Sequence, residues 1–153
     1  MPYFDVAAWA AIIAHEDTEL DGPASAADIT DFERHYKVLL PPSHKEFLLR
    51  ANGGVVGLAR VFGANRSDAL DLAGQIESMR AYIEQMADGP VLPFASDWGG
   101  SYFCYDLRHT ANEAGYPVLL WNHEYSEEPE YRPYLWSLYA ENFPGFIKRV
   151  LRT

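Results

Sequence analysis

The chain's 153 residues include a single cysteine, Cys104. One thiol excludes a disulfide framework within the chain and any zinc site built from several cysteines. Positive charge is also scarce, with 12 Lys and Arg against 22 Asp and Glu and a formal net charge of −10. Nucleic-acid phosphates are held by clustered cations, so no direct nucleic-acid partner is expected. The one basic cluster, Lys148, Arg149 and Arg152, falls at the end of a candidate helix, where cations complement the helix dipole. No apolar run approaches the ~20 residues of a membrane span. The opening Met-Pro-Tyr-Phe-Asp has no basic region ahead of an apolar one, so neither a leader nor a membrane partner is expected. The expected address is the cytoplasm, the usual setting for a chain that relies on no disulfides. No phosphate-binding loop and no serine elbow is present, and no cofactor is expected.

What is present is an ordinary globular composition, 48% hydrophobic and 22% charged, with a high aromatic share of 14%. A chain of this length buries about 70% of its unfolded surface, enough for one domain over residues 1–153 without a staple. An anionic surface serves solubility, and it also speeds docking of cationic proteins.

Periodicity sets out the elements. Val6, Trp9 and Ile13 form an apolar stripe on a first helix, with Ile12 beside it. The acidic stretch Glu16, Asp17, Glu19, Asp21 reads as a loop ending at Gly22-Pro23. A second helix runs from about Ser25 to Lys37, with Ile29, Phe32 and Tyr36 inward. Pro41 and Pro42 interrupt it; Ser43 and Glu46 then suggest a capping box for a short helix that buries Phe47, Leu48 and Ala51. Val55–Phe62 reads as one strand or a short pair, and residues 68–87 as a helix. Strands are expected over 91–95, 101–107 and 117–121, then an exposed loop over 124–133, a short helical turn at 136–140 and a terminal amphipathic helix from Phe143. Helices first, then strands with short connections, favour an α+β fold: a mainly antiparallel sheet with helices packed on it.

The segment FERHYKVLLPPSHKEFLLRANGG carries Glu33, Leu40-Pro41, Lys45, Phe47-Leu48 and Asn52-Gly53-Gly54. It resembles the hallmark of the SUKH superfamily, the Smi/Knr cell-wall-regulator homology domain. VLPFASDWGGSYFCYDL resembles the second signature of that family, through Pro93, Phe94, Ala95, Asp97, Gly99, Gly100 and Asp106. PVLLWNHE and the closing helix extend the resemblance over about residues 26–151. The motif residues themselves look structural. The resemblance implies an α+β fold without a shared catalytic set. In bacteria it implies an immunity protein that neutralises a toxin domain, often a nuclease; in fungi, a scaffold for cell-wall signalling. The compact chain looks more like the bacterial form, of a size for a monomer or a weak dimer.

Three clusters carry possible chemistry. His123-Glu124, with Asp106 and Asp97, could hold a metal or do acid–base work as a metal-dependent hydrolase if the groups converge. Asp106 and His123 could meet on one face of the sheet or lie apart at two strand ends. Cys104, between Phe103 and Tyr105, reads as an inert buried thiol. The stretch from Trp121 to Trp136 interleaves Tyr125, Tyr131, Tyr134 and Trp136 with Glu124, Glu127, Glu128 and Glu130. Aromatics anchor interfaces and carboxylates steer cationic partners. With Asp97 and Trp98 at the Gly99-Gly100 turn, this loop is the candidate partner-binding surface; the competing reading is a solvated loop that covers the sheet edge.

Overall fold

The computed structural model describes residues 2–109 and 115–152. Asp5 caps helix α1 (Val6–Ala14), its carboxylate accepting from the Ala8 N–H, and Ser25 caps α2 (Ala26–Tyr36) through the Asp28 N–H. In α1 the buried residues are Trp9 and Ile12, while Val6 and Ile13 are 87% and 64% exposed. The expected stripe is thus corrected to a narrower one, fixed by Trp9 stacking on Phe47 at 5.4 Å. An alanine-rich helix offers several weakly apolar faces, and the aromatic contact selects among them.

Helix α3 (Pro42–Arg50) buries Phe47 and Leu48, as the pattern predicts. Its expected capping box does not form. Pro41 holds the N-cap position and Pro42 opens the helix, where a missing N–H loses nothing. Ser43 is buried, and Glu46 accepts instead from the Tyr3 and Phe4 N–H groups at 3.0 and 2.8 Å, tying the N-terminal segment to α3.

Among the described residues, seven strands form one sheet in chain order, every pair antiparallel: β1 (Glu19–Leu20), β2 (Gly54–Val56), β3 (Ala59–Val61), β4 (Val91–Ser96), β5 (Tyr102–Asp106), β6 (Val118–Trp121) and β7 (Trp136–Ala140). Two of these replace other expectations. β1 lies inside the acidic stretch read as a loop, because backbone pairing with β2 tolerates exposed carboxylates on an edge. β7 stands where a helical turn was expected. The outer edge of β6 offers a ladder to Trp136–Ala140, and that non-local pairing overrides local preference.

Between β3 and β4 a helical rod runs as α4 (Leu72–Gln75), a π turn (Ile76–Arg80) and α5 (Ala81–Glu84). Helix α6 (Arg132–Leu135) leads into β7, and α7 (Phe143–Val150) closes the chain.

Alternation along β5 divides the core. Phe103 and Tyr105 join the main cluster with the helical layer, including Phe47, Phe94, Phe143 and Phe146, whereas Cys104 faces a second cluster of Ile83, Val91, Trp121 and Leu135. Phe94 stacks on Tyr105 at 4.1 Å and His44 on Phe143 at 4.4 Å. Burying each large apolar side chain is worth about 1.5–3 kcal/mol, and these aromatics dominate the core by area.

Candidate functional site

Strict antiparallel order sorts the connections by sheet end. The β2–β3 turn (57–58), the β4–β5 turn (97–101) and the β6–β7 connection (122–135) all lie at one end, as the pairs Val56–Ala59, Ser96–Tyr102 and Trp121–Trp136 require. We call it the hairpin end. Asp97, Trp98, Glu124, Tyr125, Glu127, Glu128, Glu130 and Tyr131 are all there. Asp106 is at the other end of β5, opposite Val91.

The β4–β5 turn is built by Asp97, whose Oδ1 accepts from the N–H groups of Gly99 and Ser101 at 2.8 and 2.9 Å. Gly100 has a positive φ and packs under the His123 ring. That contact joins the turn to the β6–β7 connection, and the His123 N–H donates to Ser101 Oγ at 3.0 Å. The fixed turn leaves Trp98 66% exposed, with the Arg60 guanidinium 5.0 Å from its ring.

The β6–β7 connection is pinned from within. Asn122 caps a 3-10 turn (His123–Tyr125) through the Glu124 N–H, its own N–H donates to the Leu135 carbonyl, and buried Ser126 donates to the His123 carbonyl at 2.8 Å. Trp121 and Leu135 anchor both ends in the second cluster, and Trp136 Nε1 donates to the Met86 carbonyl. The Trp residues at the limits of this stretch thus hold the loop, and the tyrosines occupy its surface. Tyr125 lies 5.7 Å from Tyr131 and 5.9 Å from Tyr134, ring to ring, and Tyr131 and Tyr134 are exposed. Glu124, Glu127, Glu128 and Glu130 are exposed and in no ion pair among the described residues.

The His123–Asp106 cluster does not assemble. The two lie at opposite ends of β5, and the Asp106 carboxylate accepts from Arg108 at 2.9–3.0 Å, which holds it below the usual carboxylate range. Among the described residues, no group of three or more His, Cys, Asp and Glu is placed to hold a metal. Cys104 is fully buried, and desolvation pushes its thiol pKa well up, away from nucleophilic use.

Of the signature residues, Asp97, Gly99 and Gly100 build the β4–β5 turn at the hairpin end, and the others lie in the helical layer, along β4 and at the opposite end. Glu33 accepts from the Leu40 N–H at 2.7 Å and approaches Lys45 Nζ at 3.5 Å, so the three turn the chain from α2 into α3. Asn52 makes a two-bond clasp with Ala64, accepting from its N–H at 2.7 Å and donating to its carbonyl at 2.8 Å. Gly53 (φ +82°) and Gly54 (φ +125°) follow; a Cβ on either would strike a backbone carbonyl oxygen, of Val61 or Glu19 respectively. Leu40, Phe47 and Phe94 are buried in the main core, and Pro93 precedes a shift in the β4–β5 register.

Sequence reasoning missed Asp17, Glu19 and Leu58 as neighbours of Trp98. The pairing of β1 with β2 brings Asp17 and Glu19 there, that of β3 with β4 brings Leu58, and no local signal carries either pairing. No helix among the described residues is long and apolar enough to cross a membrane. The model of the SMI1 / KNR4 family (SUKH-1) matches residues 23–149, most of the chain, and the chain belongs to that family. No curated protein matches it.

Proposed function

We propose that this SUKH-1 member acts without turnover, as a cytoplasmic immunity protein that binds a cognate, cationic toxin domain through its hairpin end. Family membership supports a protein partner, and the acidic surface favours a basic one. The observation that carries the reading is the gathering of exposed Glu124, Glu127, Glu128 and Glu130, in no ion pair among the described residues, with exposed Tyr131, Tyr134 and Trp98 at one end of a single sheet. Carboxylates accelerate encounter with a cationic surface, and rigid aromatic rings supply contact area at low entropic cost. A nuclease that expects phosphates meets a comparable array of negative charge here, so bound protein would cover its substrate site.

Affinity capture from cells of the source organism tests this. The captured protein is identified by mass spectrometry, then expressed in a heterologous host with and without this chain. The expected result is a basic protein that arrests growth alone and is harmless when this chain is co-expressed. A captured partner with no toxicity, belonging to cell-wall or signalling machinery, would replace immunity with a scaffold role.

A further inference from the structure

Where the β2–β3 turn meets the β4–β5 turn, a groove of about 460 Å³ is lined by Asp17, Glu19, Val55, Gly57, Leu58 and Trp98. The lining is of three kinds. Val55, Gly57 and Leu58 give apolar surface, Trp98 gives an aromatic ring, and Asp17 and Glu19 give two exposed carboxylates in no ion pair among the described residues.

The base of the groove is preformed. Gly57 has φ +56°, its N–H donates to Thr18 Oγ, and a Cβ there would strike the Val150 carbonyl oxygen, so the turn is seated against the end of α7. Glu19 is held opposite Val55 by the β1–β2 ladder, and Trp98 sits on the turn that Asp97 caps. The indole already accepts one guanidinium, that of Arg60, which Ser96 Oγ steadies at 3.2 Å, yet two thirds of Trp98 stays open to solvent.

An apolar bed beside an aromatic ring and two carboxylates is complementary to an arginine. The methylene stem covers apolar surface, the planar guanidinium stacks on indole, and its N–H groups pair with carboxylates. We propose that this groove receives an arginine side chain presented by the protein partner, as the anchor of docking at the hairpin end. The proposal rests on the protein-binding reading above and adds the residue type recognised and its seat.

A nitrogen–proton NMR titration of the folded protein tests it, with a blocked peptide of alternating arginine and alanine as the probe. An otherwise identical citrulline peptide serves as the control that keeps shape and removes charge. The arginine peptide is expected to shift the Trp98 indole signal saturably, and the citrulline peptide to leave it in place. Asp17→Asn with Glu19→Gln should weaken the Trp98 response by about tenfold. The charge reversals Glu127→Lys, Glu128→Lys and Glu130→Lys should leave it within about twofold, since those side chains do not line the groove. The exposed positions of all five substitutions keep the fold intact, which the remaining spectrum verifies. Shifts spread over the acidic surface without saturation at Trp98, or a Trp98 response unchanged by the Asp17 and Glu19 substitutions, would overturn the groove as an arginine seat. Neither outcome depends on a toxin, so the groove can fail while immunity stands, and the reverse.

Discussion

The two ends of the sheet use polar side chains in opposite ways. At the end of Asn52, Arg66 and Asp106, polar groups are spent on the protein itself. Asn52 clasps Ala64, Asp106 holds Arg108, and Arg66 bridges Asp21 and Asp68 while donating to the Asn52 carbonyl at 2.7 Å. At the hairpin end, a few buried or capping groups such as Asp97, Asn122 and Ser126 hold the loops, and the remaining carboxylates face water beside exposed rings. The family signature falls mostly on the first kind. It marks how the fold is closed, and the surface offered to a partner lies largely in residues outside it.

If that division holds, substitutions at the two ends should separate stability from binding. The largest effect is expected for Gly53→Ala. Its φ of +82° and the Val61 carbonyl in the path of a Cβ predict a loss of about 3 kcal/mol or more in denaturant unfolding. Asn52→Ala leaves the N–H and carbonyl of buried Ala64 without their partner and should cost about 2–3 kcal/mol by the same measurement.

The motif helix α3 also carries a pH signature. His44 is fully buried against Phe94 and Phe143 with Nδ1 on the Tyr105 hydroxyl, Nε2 has no hydrogen-bond partner among the described residues, and desolvation pushes its pKa down to about 3. In the unfolded chain a histidine titrates near 6.5, so the unfolded state takes the proton first. Stability should therefore fall as pH drops below about 6.5, by up to ~1.4 kcal/mol per pH unit. In His44→Phe, unfolding followed between pH 7 and 5 should lose that part of the slope.

The smallest stability effect belongs to the hairpin end. The reversals Glu127→Lys, Glu128→Lys and Glu130→Lys should change unfolding free energy by less than about 0.5 kcal/mol, because these carboxylates are exposed and in no ion pair among the described residues. They should nonetheless slow association with a cationic partner by about tenfold at low salt. A stability loss as large as that of Asn52→Ala would erase the distinction between the two ends.

The parts of this design legible in the sequence are those whose cause is local. Pro41 and Pro42 mark the break ahead of α3, Gly53 and Gly54 need left-handed backbone, and Phe143 to Val150 repeats at helical spacing; all three fall where expected, though α2 itself ends earlier, at a left-handed Lys37. The antiparallel sheet follows from short connections between strand-like runs. Elements decided by a distant neighbour were not legible. Trp136–Ala140 becomes a strand because β6 has an open edge, and Glu19–Leu20 because β2 has one. The acidic-aromatic loop was visible as composition. Its contact with the Trp98 turn, through Gly100 and His123, and the presence of Asp17 beside Trp98 required the strand register. The same register separates Asp106 from His123, which sequence proximity had left open.

Hydrogen exchange of the complex with the captured partner tests the central claim most directly, by comparing amide protection in the free and bound protein. New protection is expected at residues 57–58, 97–101 and 122–135, with the amides of Asn52, Ala64, Asp106 and Arg108 unchanged. Protection confined to that opposite end, with the hairpin end exchanging as in the free protein, would contradict it.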